Sequence, residues 1–231
     1  MKSFYSLALG TCAAAALFAG GASASTIYTN GPANGNVQAY TINFGWQVAD
    51  SFTAASGSTA TSMSFETWAA DSLSTDVPQT VDWEITNGNP LSGGAFTVVD
   101  SGTATAITAT ALGTNVRDVE LFSDSISLPN VALTCSSNCW ISLDNGVTAD
   151  GQPMYWDGNN GPSDAWQNND IGDLSTGCAD NFSGGGSCSE TFTIFGTLAS
   201  GTPEPATWAL MLTGFAGLGA ALRARRKLAA A

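Results

Sequence analysis

The segment Thr80-Val81-Asp82-Trp83-Glu84-Ile85-Thr86 puts Val81, Trp83 and Ile85 on one face of an extended chain and Asp82 and Glu84 on the other. That period of two fits a strand with one buried face and does not fit a helix. The same alternation recurs at Tyr40–Phe44, Met63–Ala69, Ala95–Val99, Val116–Phe122, Cys139–Asp144 and Thr191–Leu198. No stretch between Ser25 and Thr202 carries a helical period. Turn-forming clusters such as Thr29-Asn30-Gly31-Pro32, Asn87-Gly88-Asn89-Pro90 and Asp157-Gly158-Asn159-Asn160-Gly161 separate the runs. The segment therefore predicts an all-β domain over residues 25–198, a β-sandwich of jelly-roll type. No repeat of fixed period argues for a solenoid or propeller. The Gly/Ser/Asn-rich stretch from Asn159 to Ser189 reads as a long loop.

Charge and missing residue types narrow the chemistry. The chain of 231 residues has 19 acids, 6 bases and no histidine. Between Ser25 and Thr202, eighteen acids face a single base, Arg117, which excludes nucleic acid and anionic lipid as partners of that segment. Without histidine there is no Ser-His or Cys-His pair and no imidazole metal ligand. Arg117 is in phase with Val119 and Leu121, so it is expected inward and paired with a carboxylate.

Both ends read as addresses. Lys2, the apolar run Leu7–Ala19 and the small-residue box Ala22-Ser23-Ala24 make a signal peptide over residues 1–24, implying the Sec machinery and signal peptidase as partners. Cys12 lies inside that run and leaves with it. After a short linker (199–202) comes Pro203-Glu204-Pro205, then an uncharged stretch over 206–222. As a helix those 17 residues would span about 25 Å, enough for a short transmembrane segment. Arg223, Arg225, Arg226 and Lys227 follow as a basic stop-transfer end on the cytoplasmic side.

The order of Pro203-Glu204-Pro205, apolar helix and basic end over residues 203–231 resembles the PEP-CTERM sorting tail of exopolysaccharide-producing Gram-negative bacteria. A tail of this kind is also found on some ice-binding proteins and is sometimes named after them. The resemblance implies an exosortase as partner, with Pro203, Glu204 and Pro205 as its recognition motif. It further implies an intermediate anchored in the inner membrane, then a place at the cell surface or in the extracellular matrix. Shorter phrases, Ala39–Gly45, Ala49–Phe52, Cys139–Leu143 and Tyr155–Gly158, resemble passengers of such tails that have no assigned activity.

Four cysteines remain after export: Cys135, Cys139, Cys178 and Cys188. An even number in an exported chain predicts disulfides. Three connectivities are open, and the local ones need the least ordering; a four-cysteine zinc site is the less favoured alternative. Asp144, Asp150 and Asp157 crowd the turns of the C-terminal half and suggest a structural Ca2+ site, although none fits an EF-hand loop and turn formation alone explains them. Asp82 and Glu84 could suggest a glycosidase pair, but they share one solvated strand face, so no enzyme is expected. Trp140 is in phase with Ser142 and Asp144, and Trp68 with Ser64 and Glu66, on the polar sides of their strands; Trp156 and Trp166 lie among turns. Indoles so placed either stack on sugar rings or turn into the core. The expectation is a structural or adhesive component associated with exopolysaccharide, with a carbohydrate-binding module using Trp68, Trp140 and Trp156 as the alternative.

Overall fold

The structure, a computed structural model, describes residues 24–33, 39–69, 76–114, 118–135, 138–168, 172–173, 189–199, 211–217, 219 and 223. Two antiparallel sheets account for the described strands, so the all-β expectation holds. The first sheet is organised around β4 (Thr59–Ala69). One edge of β4 pairs along its length with β8 (Glu120–Ala132), which pairs in turn with β7 (Thr108–Thr114). The other edge is shared by two strands laid end to end: β14 (Phe192–Thr197) beside residues 59–65 and β10 (Met154–Asn159) beside residues 67–69. Beyond them β1 (Ser25–Thr29) pairs with β14, and β2 (Ala39–Thr41) and β13 (Ser189–Glu190) pair with β10. The second sheet runs β12 (Gly172–Asp173), β11 (Ala165–Gln167), β3 (Gln47–Phe52), β9 (Cys139–Thr148), β5 (Pro78–Asn87), β6 (Thr97–Ala104).

One core fills the space between the sheets. Met63, Phe65, Ile126, Trp156, Phe192 and Ile194 of the first sheet meet Val48, Phe52, Val81, Ile85, Ile141 and Leu143 of the second. Phe52 and Phe192 contact edge to face with ring centroids 6.1 Å apart, an arrangement favoured by aromatic quadrupoles. Alternation explains these choices: Val81, Trp83 and Ile85 point inward while Asp82 and Glu84 point out, as the pattern predicts. Close approach between β4 and β14 requires Gly196, where an added Cβ would lie 1.9 Å from the Thr59 carbonyl oxygen. This is the site of a register shift between the strands.

Some boundaries differ from the sequence reading. The strand expected over residues 40–44 ends at Thr41, and Phe44, at φ 54°, is 75% exposed in the turn that follows. The strand expected over 116–122 begins only at Glu120, after Asp118 at φ 58°, and runs to Ala132. Its inward row is Phe122, Asp124, Ile126 and Leu128; Leu121 is not in that row. Arg117, with its expected inward pairing, lies outside the described residues. The stretch expected as one loop from Asn159 to Ser189 contains β11, β12 and the start of β13. In the tail, residues 211–217, 219 and 223 are helical and exposed. No helix among the described residues is long and apolar enough to cross a membrane.

Candidate functional site

The outer face of the second sheet gathers the polar and aromatic side chains that the core excludes. Three rows cross it in register. Thr103, Asp82, Asp144 and Gln47 form the first, from β6 through β5 and β9 to β3. Ser101, Glu84, Ser142, Ala49 and Trp166 form the second, which reaches β11. Thr86, Trp140 and Ser51 form the third. Cross-strand neighbours on one face lie about 5 Å apart, so each row is a continuous strip of side chains.

The first two rows border an open depression of about 280 Å³ lined by Gln47, Asp82, Glu84, Ser101, Thr103 and Asp144. Here Thr103 Oγ1 donates to Asp82 Oδ1 at 2.5 Å, and Gln47 Nε2 donates to Ser142 Oγ at 2.9 Å. Asn145 has φ 48°, a left-handed conformation that Asn tolerates better than most residues. With the register shift of β5 against β9 between Thr80 and Asp82, this turn brings its amide to the same face as Asp144. Asn145 Nδ2 donates to Asp82 Oδ2 at 2.9 Å and to Asp144 Oδ2 at 3.3 Å. Burial raises the Asp144 carboxyl above the usual range, and the negative charges of Asp82 and Glu84 add to it; burial alone raises Glu84. The three acids sit side by side on an open face, not across a cleft as a glycosidase pair would.

Two indoles border this polar strip. Ala49 and Thr86 are fully buried and Ser142 and Ser51 nearly so, although all four point away from the core. Their neighbours in the rows, Trp140 and Trp166, are half-buried. Each indole adjoins small side chains in its row, Trp140 between Thr86 and Ser51 and Trp166 beside Ala49. β9 and β11 both flank β3, and the two tryptophans differ by one two-residue step in register. That places their Cα atoms about 12 Å apart. Such a spacing suits an extended chain more than a single ring.

The other residues singled out in the sequence fall elsewhere. Trp68 does point to the outer face of the first sheet, but it is only 7% exposed, and its Nε1 donates to Asp157 Oδ1 at 2.5 Å. Trp156 belongs to β10, is fully buried, and donates from Nε1 to the Thr191 carbonyl at 2.8 Å. Neither offers an indole face to a ligand: of the two readings, the core one fits Trp156 and the glycan-stacking alternative is corrected for both, because the paired strands β10 and β4 turn one inward and cover the other. Asp144, Asp150 and Asp157 do not form the expected calcium site. Asp144 is on the second sheet, Asp157 is buried on the first, and Asp150 is in an exposed turn where Thr148 Oγ1 donates to it at 2.8 Å. Among the described residues no three Asp, Glu or Cys side chains converge to hold a metal.

Cys135 and Cys139 form a disulfide with Cα atoms 5.3 Å apart, fixing the start of β9 next to Trp140. Cys178, Cys188, Pro203, Glu204, Pro205, Arg225, Arg226 and Lys227 lie outside the described residues; Arg223 is at an exposed helical position. Sequence reasoning notes Trp166 among the indoles of the turn-rich region but leaves it out of the candidate platform, since the strand that presents it, Ala165–Gln167, is too short for a period of two to show. Neither the models of known protein families nor the curated proteins provide a match to this chain.

Proposed function

We propose that this is an exported, non-enzymatic surface or matrix protein that holds extracellular polysaccharide on the outer face of its six-stranded sheet. The observation that carries the reading is the placement of Trp140 and Trp166 on one sheet face, one two-residue step apart in register, beside Gln47, Asp82, Glu84, Asp144 and Asn145. Indole faces stack on the apolar faces of sugar rings, carboxylates accept hydroxyl hydrogens, and amides do both. An open face, in place of a closed cleft, admits a long chain at any point along its length. The acids also exclude anionic polymers of high charge density and favour neutral or sparsely charged glycans.

The rest of the reading rests on the sequence. The signal peptide, the Pro203-Glu204-Pro205 motif, the apolar segment over 206–222 and the basic end fit a jelly-roll-like passenger. It is exported through the Sec machinery, held briefly in the inner membrane, and processed by an exosortase. Electrophoresis through gels containing the producing cell's exopolysaccharide tests the binding: the wild-type protein is retarded and a Trp140→Ala/Trp166→Ala double variant migrates freely. Equal mobility of the two refutes the assignment. Replacing residues 203–205 by alanine leaves a larger, membrane-retained form; unchanged processing and release would refute the sorting reading.

A further inference from the structure

A second group of polar side chains is sealed inside the sandwich, away from the tryptophan face. Asp50, on the inward row of β3, and Glu190, on β13, are both fully buried, and Asn30, Asn159, Ser163 and Ser189, each at most 7% exposed, cluster beside Asp50 and the Glu190 backbone. Asp50 Oδ2 accepts from the Glu190 backbone N at 2.6 Å and from Asn30 Nδ2 at 3.0 Å, and Asp50 Oδ1 accepts from the Ser51 N at 2.6 Å. Among the described residues neither carboxylate oxygen of Glu190 has a hydrogen-bond partner.

Oxygen dominates this space. Asn30 Nδ2 has four oxygens around it: Ser163 Oγ at 2.5 Å, Ser189 Oγ at 2.6 Å, and Asp50 Oδ2 and the Glu190 carbonyl at 3.0 Å. One amide nitrogen has two hydrogens to serve them. At Gly161, the position of an added Cβ is within 2.9 Å of Ser189 Oγ, Asn159 Oδ1 and the Asn30 carbonyl oxygen, a third side of the same oxygen-rich cage. Among the described residues no positive charge meets these two carboxylates and the surplus of neutral oxygens. A buried carboxylate with both oxygens unpartnered is among the costliest groups a core can hold.

We propose that a divalent cation of calcium type binds between Asp50 and Glu190, using Ser163, Ser189 and the Asn30 side-chain oxygen as neutral ligands. Rotation of the Asn30 amide by half a turn puts Oδ1 among the four oxygens and leaves Nδ2 facing Tyr28 Oη, which now donates to Oδ1 at 2.5 Å. Two acidic and several neutral oxygens in irregular geometry suit calcium better than magnesium, which demands a strict octahedron. The chain has no histidine, and the donors gathered here among the described residues are all oxygens, which suit a hard cation. The ion would tie β3 of one sheet to β13 of the other, and the turn after β1 to the loop between β10 and β11.

The test uses the purified full-length chain. Titration with Tb3+ and excitation of tryptophan should give saturable sensitised emission, since Trp156 and Trp68 are in or beside the strand that pairs with β13; Ca2+ should displace it. Calcium at a hundredfold above its Kd should raise the melting temperature by about 5–10 °C over EGTA. Glu190→Gln should remove both effects, and Asp82→Asn/Asp144→Asn, on the outer face, should retain the calcium-dependent melting shift. If Glu190→Gln does not fold, the shift in the outer-face variant decides. Absence of a calcium shift in the wild type, or its loss in the outer-face variant, overturns the proposal and points to protonated acids or to surface binding.

Discussion

Asp124 offers the most direct test of how this core tolerates acids. It occupies the inward row of β8 between Phe122 and Ile126, opposite Phe65, and is 1% exposed. Thr67 Oγ1 donates to its Oδ2 at 2.5 Å, and among the described residues its Oδ1 has no partner. Burial pushes its carboxyl from 3.8 up to about 7, the Thr67 hydrogen bond opposing this and the charge of Glu66 adding to it. An acid whose pKa is higher folded than unfolded holds its proton more tightly in the folded state. The stability tied to that proton is fully present below about pH 4 and is lost as the pH rises through about 7. Three units at about 1.4 kcal/mol each make this loss on the order of 4 kcal/mol. Asp124→Asn keeps the shape and the Thr67 bond and has no proton to lose. Its amide nitrogen brings an unpaired donor at a cost of about 1–3 kcal/mol, but that cost does not vary with pH. Urea unfolding of both proteins at pH 4, 5.5, 7 and 8.5 should therefore show the variant gaining on the wild type by about 4 kcal/mol across the range. A gap that stays constant within about 1 kcal/mol would refute the reasoning.

Other expectations follow from single contacts. Trp156→Ala removes a fully buried indole packed on Phe65 and Phe192 and strips the Thr191 carbonyl of its donor; chemical denaturation should show a loss of about 3–5 kcal/mol. Gly196→Ala cannot be accommodated beside the Thr59 carbonyl, so the protein should fail to accumulate in folded form, as read by circular dichroism and yield. Cys135→Ser with Cys139→Ser opens a five-residue loop and should cost about 2 kcal/mol relative to the wild type in urea unfolding without reductant.

How much of this was legible in the sequence depended on what each signal measures. Alternation correctly turned Val81, Trp83 and Ile85 inward and Asp82, Glu84, Trp140 and Asp144 outward, because a face of a strand is a local property. It also placed Trp68 outward, yet it could not show that Asp157 and the strands beside it cover that indole. Trp156 reads as a turn residue because Asp157-Gly158-Asn159 looks like a turn, while in the structure those three residues form the end of β10. The buried acids were accessible by the same logic and went unread: Asp50 is in phase with Val48 and Phe52, and Asp124 with Phe122 and Ile126. An acid on an apolar row is the sequence mark of a buried carboxylate. The company these acids keep, Asn30 and Glu190 beside Asp50 across 20 and 140 residues, is a product of tertiary pairing and leaves no local trace.

The central claim is that the six-stranded sheet presents a glycan-binding face. It is tested most directly by titrating the wild-type protein and the Trp140→Ala/Trp166→Ala variant with the producing cell's exopolysaccharide while following tryptophan fluorescence. The account predicts a saturable change in the wild type that the double variant lacks, with both proteins showing the same far-ultraviolet circular dichroism. No saturable change in the wild type, or the same titration curve in both, would contradict it.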